Sequence, residues 1–370
     1  MYLSFKKWYN LHEGGNVVIG DVPAERIDLK TIDRKKVVSE IGKALKSISD
    51  RYASFHGMPL WGDDLFKDRG FLSGSSLHLF NTAIPDETFV KHKPTVGDID
   101  TQVDGNQKKQ IEDFLKKLPA GEKVGNTLYV GYKPSGDQFI TLWTIPSLGI
   151  SVQVDLELVD FKDGKPTPWA SFSHGSPWED LSLGIKGVFQ KYLLRSFQAR
   201  TAKDVLIRAK TPRGKDKVIR KSDLAFSLKG LRVRMTPVLD VQGNQVFKNG
   251  MPVYDEVDSA TADYITDLDV LFTSFFGVKG SKAEVEQMGS FVGLVGLMKK
   301  HMSPSDQKKV LDGFANVLWE KGAQGLVRGD PRADYDTKIR AFDYIIKGLG
   351  IGSIDDYDSV INSYYQGYKA

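Results

Sequence analysis

The chain has 370 residues, a formal net charge of +4, 41% apolar residues and no cysteine. That length supports two or three domains, each with its own core, and the lack of cysteine excludes disulfides and cysteine-ligated zinc. The longest apolar stretch, near Phe291–Met298, is broken by Gly293 and Gly296 and falls short of the roughly 18 residues of a membrane span, so the expected protein is globular and makes no membrane contact.

The first residues, MYLSFKKWYNLHEGG, place charges where a signal peptide needs an apolar core. Together with the missing cysteines this gives a cytoplasmic expectation. Residues 1–32 carry Trp8, Tyr9, Gly14, Gly15, Gly20 and Pro23 and read as an extended arm with short strands. From Asp33, apolar Val37, Ile41, Leu45, Ile48 and Tyr52 recur at steps of three and four, which predicts an amphipathic helix. LWGDDLFKDRG reads as a loop leading into FLSGSSLHLF.

The turn Gly74-Ser75-Ser76 follows a short apolar run, and a helix is expected to open at Ser75 or Ser76. Glycine lets the backbone approach a ligand, and amides at a helix start favour an anion. Further on, GDIDTQVD alternates, so a strand here puts Asp98, Asp100, Gln102 and Asp104 on one face and Ile99, Thr101 and Val103 on the other. Carboxylates set that close call for a cation, and hard oxygen ligands suit Mg²⁺. NQKKQIEDFLKKL, ended by Pro119, reads as a helix with Ile111, Phe114, Leu115 and Leu118 on one side. Three strand candidates follow, TLYVGYK, QFITLWTI and ISVQVDLELV, separated by PSGD and PSLG. In the third, Val152, Val154, Leu156 and Leu158 alternate with Gln153, Asp155 and Glu157, which offers a third carboxylate to the same side. Asp104 and Glu157 read as surface charges at strand ends, and His78 as a packing residue.

This order of motifs resembles the DNA polymerase β-like nucleotidyltransferase superfamily: Gly-Ser on a turn, Asp-x-Asp on a strand, then a later strand Asp. The resemblance covers roughly the second quarter of the chain. It implies that Gly74 and Ser75, with Ser76 as an addition, hold the triphosphate of an NTP such as ATP. It implies further that Asp98 and Asp100 ligate two Mg²⁺ ions, with Mn²⁺ as a substitute, and that Asp155 ligates the metal that activates the attacking hydroxyl. The separation of turn and carboxylates is longer than is usual in that superfamily, and NTAIPDETFVKHKPTVG reads as an inserted loop beside the site.

In the following segment the SHGSPW loop offers His174, Ser176 and Trp178 to a base or phosphate, or is a Gly-Pro connector. LSLGIKGVFQKYLLRSFQA repeats Leu181, Ile185, Val188, Phe189 and Tyr192 at helical spacing, and Lys186 or Lys191 either reaches a triphosphate or is a solvated lysine. Residues from about 203 to 257 look β-rich, in KVIR, LRVRM, VLDVQG and NQVFKNGMPVYDEV. Between Lys203 and Arg234 eleven Lys or Arg stand against three Asp. Arg208, Lys210, Arg213, Lys215, Lys217, Arg220 and Lys221 make this either a nucleic-acid footprint or a solvated hairpin. Beyond Ser259 about five helices are expected, with a capping box at Ser281 and Glu284, an N-cap at Ser303 before Pro304, and a last helix from Ser353.

The expected architecture is therefore α/β (α+β): an arm (1–32), a nucleotidyltransferase core with a mixed sheet (33–162), a helix with a β-rich basic segment (163–258) and a C-terminal helical domain (259–370). The expected activity is transfer of an NMP from an NTP to an acceptor hydroxyl on RNA, protein or a small molecule, with release of pyrophosphate. A binding protein that keeps the fold without the activity is one rival. A sugar-nucleotide transferase using Asp-x-Asp for its metal is another.

Overall fold

The computed structural model describes residues 17–62, 70–197, 206–210, 216–220, 224–227, 229–233, 235–237, 242, 247–248, 251–252, 254–256, 264–321 and 331–362. They form two compact units, Met1–Gly184 with Gly325–Asp334, and Ile185–Gln324 with Tyr335–Ala370.

In the first unit, helix α1 (Arg34–His56) starts at Asp33, whose side chain accepts from the Lys36 amide, and stops at Gly57 in the left-handed region at φ 75°. Val37, Ile41, Ala44, Leu45, Ile48 and Tyr52 are all buried, as the spacing predicts. A single helical turn, α2 (Ser76–Leu79), follows the Gly-Ser-Ser turn. The segment expected to be an inserted loop instead carries helix α3 (Asp86–His92) and the short strand Thr95–Val96. Its acidic first turn, Asp86-Glu87, and basic last turn, Lys91-His92, complement the helix dipole, a pattern that a loop reading passes over.

Strand β1 (Asp98–Asp104) and helix α4 (Lys108–Lys117) occupy their expected places. After them come β2 (Lys123–Val124), β3 (Thr127–Ser135), β4 (Gln138–Ile145) and β5 (Ile150–Val159). The five strands form one mixed sheet in the order β1-β5-β4-β3-β2. Hairpins make β2 to β5 antiparallel, whereas β1 and β5 pair in parallel with Asp100 opposite Asp155. One face of the sheet, with Ile99, Val103, Phe139, Trp143, Val152, Val154 and Leu156, joins the buried residues of α1 and α4 in a single core. Two polar groups on the sheet are paired within that core: the Trp143 indole donates to Thr141 Oγ1 at 2.8 Å, and the Thr141 hydroxyl donates to the Val154 carbonyl at 2.7 Å.

Residues 17–32 join this unit by backbone pairing. Val18–Ile19 pairs with Val22–Pro23, and Ile27–Asp28 pairs with Thr95–Val96. On the far side of β1, Leu72 makes an antiparallel bridge with Thr101, so the chain entering the Gly-Ser-Ser turn runs along the free edge of the sheet. A hairpin, Phe161–Lys162 with Lys165–Pro166, and helices α5 (Pro168–His174) and α6 (Trp178–Ser182) follow β5 in this unit.

The helix expected from Leu181 onward is interrupted. Gly184 adopts φ 70°, and α7 (Gly187–Ser196) begins in the second unit with Lys186 as its N-cap. Helical spacing persists across the break, which is why the sequence reads as continuous. The basic hairpin is present as Leu206–Lys210 paired with Asp216–Arg220, with Arg208 opposite Val218 and Lys210 opposite Asp216. Arg213, Lys215, Lys221 and most of VLDVQG lie outside the described residues, as do Trp8, Tyr9, Gly14 and Gly15. Helices α8 (Leu268–Phe276), α9 (Lys282–Gln287), α10 (Phe291–His301), α11 (Pro304–Ala315) and α12 (Pro331–Leu349) follow. The capping box at Ser281 and Glu284 is formed, and Ser303 caps α11 ahead of Pro304. The last helix starts where expected: Ser353 caps a 3-10 turn, Ile354–Tyr357, that continues as α-helix over 358–362. Among the described residues no helix is long and apolar enough to cross a membrane.

Candidate metal centre

Parallel pairing in register decides the geometry of the site. Because Asp98 and Asp100 alternate with Ile99, and Asp155 stands opposite Asp100, all three carboxylates project from the face turned away from the α1–α4 core. One oxygen of each lies within 4.8 Å of the others. Asp98 and Asp100 are half-buried and Asp155 is only 6% exposed.

Such crowding raises the cost of ionisation. Burial, followed by the charge of Asp98, pushes the Asp155 carboxyl up to about 7. Gln153 Nε2 opposes this by donating to both oxygens of Asp155 at 2.9 and 3.1 Å. Burial also lifts Asp98 above the usual carboxylate range, against the opposing charges of Lys93 and Arg26. Three hard, convergent oxygen donors, with the proton affinity of Asp98 and Asp155 raised, could hold a hard divalent cation, whose charge would replace the protons.

The Gly-Ser-Ser turn is fastened to the backbone of Asp98 and Asp100. The Ser76 hydroxyl accepts from the Asp100 amide at 2.9 Å and donates to the Asp98 carbonyl at 3.5 Å. The Ser73 amide donates to the Asp100 carbonyl at 3.2 Å. Gly74 has φ 54°, and a Cβ placed on it would lie 2.2 Å from Asp100 Oδ2. Glycine is therefore required here by the carboxylate packed over it as well as by the backbone angle. The Gly74 amide is already used, donating to the His174 carbonyl at 3.3 Å, whereas the amides of Ser75 and Ser76 donate to no described residue.

The SHGSPW segment supports the turn from behind. Besides the Gly74–His174 bond, His78 Nε2 donates to the Ser176 carbonyl, and Gln102 Nε2 donates to the Ala170 carbonyl at 3.3 Å. Trp178 packs against His78, stacks on Phe89 at 5.8 Å and meets His92 edge-on. His174 and Ser176 thus lend main-chain carbonyls to the turn and its helix.

Two residues act differently from their sequence reading. Glu157, expected to be a surface charge, accepts from the buried Ser73 hydroxyl at 2.6 Å and so ties the strand edge leading into the turn to β5. Asp104 caps the 3-10 turn at Gly105–Gln107 through the Asn106 amide.

Sequence reasoning passed over Arg34. Its guanidinium is 4% exposed and donates to the carbonyls of Leu79, Ile84, His78 and Asn81 at 2.7–3.0 Å, and to Asp86 at 3.0 Å. It also lies over the Phe89 ring at 4.4 Å. One side chain therefore holds the chain between α2 and α3 beneath the site. The available signal was the unexplained cation at the first position of an otherwise amphipathic helix.

Lys186 and Lys191 belong to the second unit, as does the basic hairpin. Comparison of the chain with family models, curated proteins and solved structures found no match.

Proposed function

We propose that the chain is a metal-dependent nucleotidyltransferase with a polymerase β-like core, moving an NMP from an NTP to an acceptor hydroxyl. The reading rests on one observation: the three carboxylates converge within 4.8 Å, and the turn beside them is hydrogen-bonded to the backbone of the first two. A sugar-nucleotide transferase would need Asp98 and Asp100 but gives no reason for a buried third carboxylate or for that turn.

In this reading Asp98, Asp100 and Asp155 hold two Mg²⁺ ions, which supply charge neutralisation for a phosphoryl centre and its leaving group. The amides of Ser75 and Ser76 face the triphosphate. Asp155, as ligand of the metal nearest the acceptor, would orient the acceptor hydroxyl and help to take its proton. The hydroxyl oxygen forms a bond to the α-phosphorus, the bond from that phosphorus to the β-phosphate bridge breaks, and pyrophosphate leaves with its electron pair. RNA is one acceptor class, through the basic hairpin; a protein or small molecule is the other.

The test is transfer of label from each of the four α-labelled NTPs to total RNA and total protein with Mg²⁺. Label should appear with the wild type and vanish with Asp98→Asn or Asp100→Asn, both remaining folded by circular dichroism. No label from any NTP, or equal label from the Asn variants, would refute the assignment.

A further inference from the structure

Asp155 is held by a neighbour that is itself held from outside the sheet. Gln153 lies two residues before Asp155 on the same face of β5, opposite Asp98 in the parallel ladder, and is 5% exposed. Its Nε2 donates to both carboxylate oxygens of Asp155 at 2.9 and 3.1 Å, and among the described residues no other group hydrogen bonds that carboxylate. Its Oε1 accepts from the Val17 amide at 3.4 Å.

The second bond decides the sense of the first. Turned by half a rotation, the Gln153 amide would set Oε1 against the Asp155 carboxylate and Nε2 against the Val17 N–H, two repulsive contacts. The Val17 N–H can only donate, so it selects the orientation in which Gln153 donates to the carboxylate. Two bonds to one nitrogen restrain rotation of that carboxylate, while each oxygen keeps a second lone pair for a cation.

Val17 has anchors of its own. It precedes the hairpin of Val18–Ile19 with Val22–Pro23, and its carbonyl accepts from the Ala24 amide at 2.7 Å. Strand β1 pairs with β5 from Gln153 onward. Glu25 takes the edge of β5 just before that point, its amide donating to the Ser151 carbonyl at 2.8 Å and its carboxylate accepting from the Ser151 amide at 3.2 Å. A Cβ on Gly131 of β3 would lie 2.7 Å from Ile19 Cγ2, so the hairpin also rests close against a second strand of the sheet.

We infer that Gln153 is a positioning residue of the metal centre, orienting Asp155 as a ligand, and that the docked segment Val17–Glu25 sets the orientation of Gln153. The inference rests on the metal-site reading above and extends it to an uncharged residue of β5 and to a segment remote from it in sequence.

Mn²⁺ binding is followed by paramagnetic resonance in wild type, Gln153→Met, Val17→Pro and Gln102→Met, with melting of each protein in chelator. Methionine keeps the length of glutamine without its donor, and proline removes the N–H of residue 17. Gln102 is the control, a glutamine on the same face, 1% exposed, whose Nε2 donates to the Ala170 carbonyl instead of a carboxylate. Gln153→Met should weaken Mn²⁺ binding about tenfold and alter the line shape of the bound ion, and Val17→Pro should weaken it about threefold. Gln102→Met should lower the melting temperature and keep the wild-type Mn²⁺ affinity. Unchanged affinity and line shape in Gln153→Met overturns the inference, and so does an equal loss in Gln102→Met, which would make the effect one of general stability. Wild-type affinity in Val17→Pro beside a weakened Gln153→Met overturns the role given to the N-terminal segment. Absence of Mn²⁺ binding in wild type would instead remove the metal-site reading itself. Should Gln153→Met unfold, Val17→Pro against Gln102→Met carries the same comparison.

Discussion

Replacing Asp155 by Asn should stabilise the protein in metal-free buffer above neutral pH and abolish its response to Mg²⁺. The Asp155 carboxyl is buried and pushed up to about 7 from an ordinary value of 3.8, first by burial and then by Asp98. Between those two values the folded chain keeps a proton that the unfolded chain has released. Stability is therefore complete below about pH 4, falls as pH rises toward about 7, and stays low beyond it. At about 1.4 kcal/mol per pH unit, three units correspond to roughly 4 kcal/mol. Asparagine removes the charge and keeps an oxygen able to accept from Gln153, so the variant should lose this pH dependence. Urea unfolding, read through the fluorescence of the buried Trp143 and Trp169, would be measured at acid, neutral and alkaline pH with chelator and again with Mg²⁺. In chelator the two proteins should be alike near pH 4, and the variant ahead near pH 8. With Mg²⁺ the wild type should recover, since the cation replaces the proton. Parallel pH profiles for the two proteins, or equal stabilisation of both by Mg²⁺, would refute the reasoning.

Other outcomes follow from the same geometry. Gly74→Ala forces a side chain into φ 54° and against Asp100 Oδ2, so it should cost about 1–3 kcal/mol and weaken Mn²⁺ binding, measured by melting and paramagnetic resonance. Arg34→Met should cost at least about 3 kcal/mol, because a buried cation and its ring of carbonyls lose each other. Denaturant titration checks it, with Lys43→Met, an exposed residue of the same helix, as the near-neutral control. Changing Arg213, Lys215 and Lys217 together to Gln should lower RNA affinity and flatten its salt dependence while NTP affinity is unchanged; an unaltered salt slope would leave a protein or small-molecule acceptor as the better reading.

The carboxylate strand, α1, α4 and the three long strands were legible because each repeats an apolar residue at the period of its own backbone. Alternation placed Asp98, Asp100 and Asp155 on polar faces read as sharing one side, and the parallel register of β1 with β5, which alternation does not supply, is what makes the two faces one. Residues working through unique contacts left no periodic trace. Arg34, Arg26 and Glu157 look like ordinary surface charges in sequence, and only the fold gives each a partner. The sequence reads Gly74 as permissive for a ligand, yet the side chain that a Cβ there would meet first is Asp100. The loop reading of residues 81–97 failed for a related reason. A seven-residue helix held by one buried arginine is too short for periodicity to show.

The parallel pairing of β1 with β5 also fixes when the site can come into being. Thr101 and Asp155 are joined by a hydrogen bond across 54 positions of chain, and the intervening segment must first build α4 and then fold back through successive hairpins. Local antiparallel pairings close quickly, whereas the pairing of distant segments waits on the loss of chain entropy. On a growing chain, Asp98 and Asp100 emerge well before their partner, and the ligand set is incomplete until β5 docks. On the proposed metal-site reading, affinity for a divalent ion would arise late and all at once, and metal uptake during refolding would serve as a clock for the last step of sheet assembly.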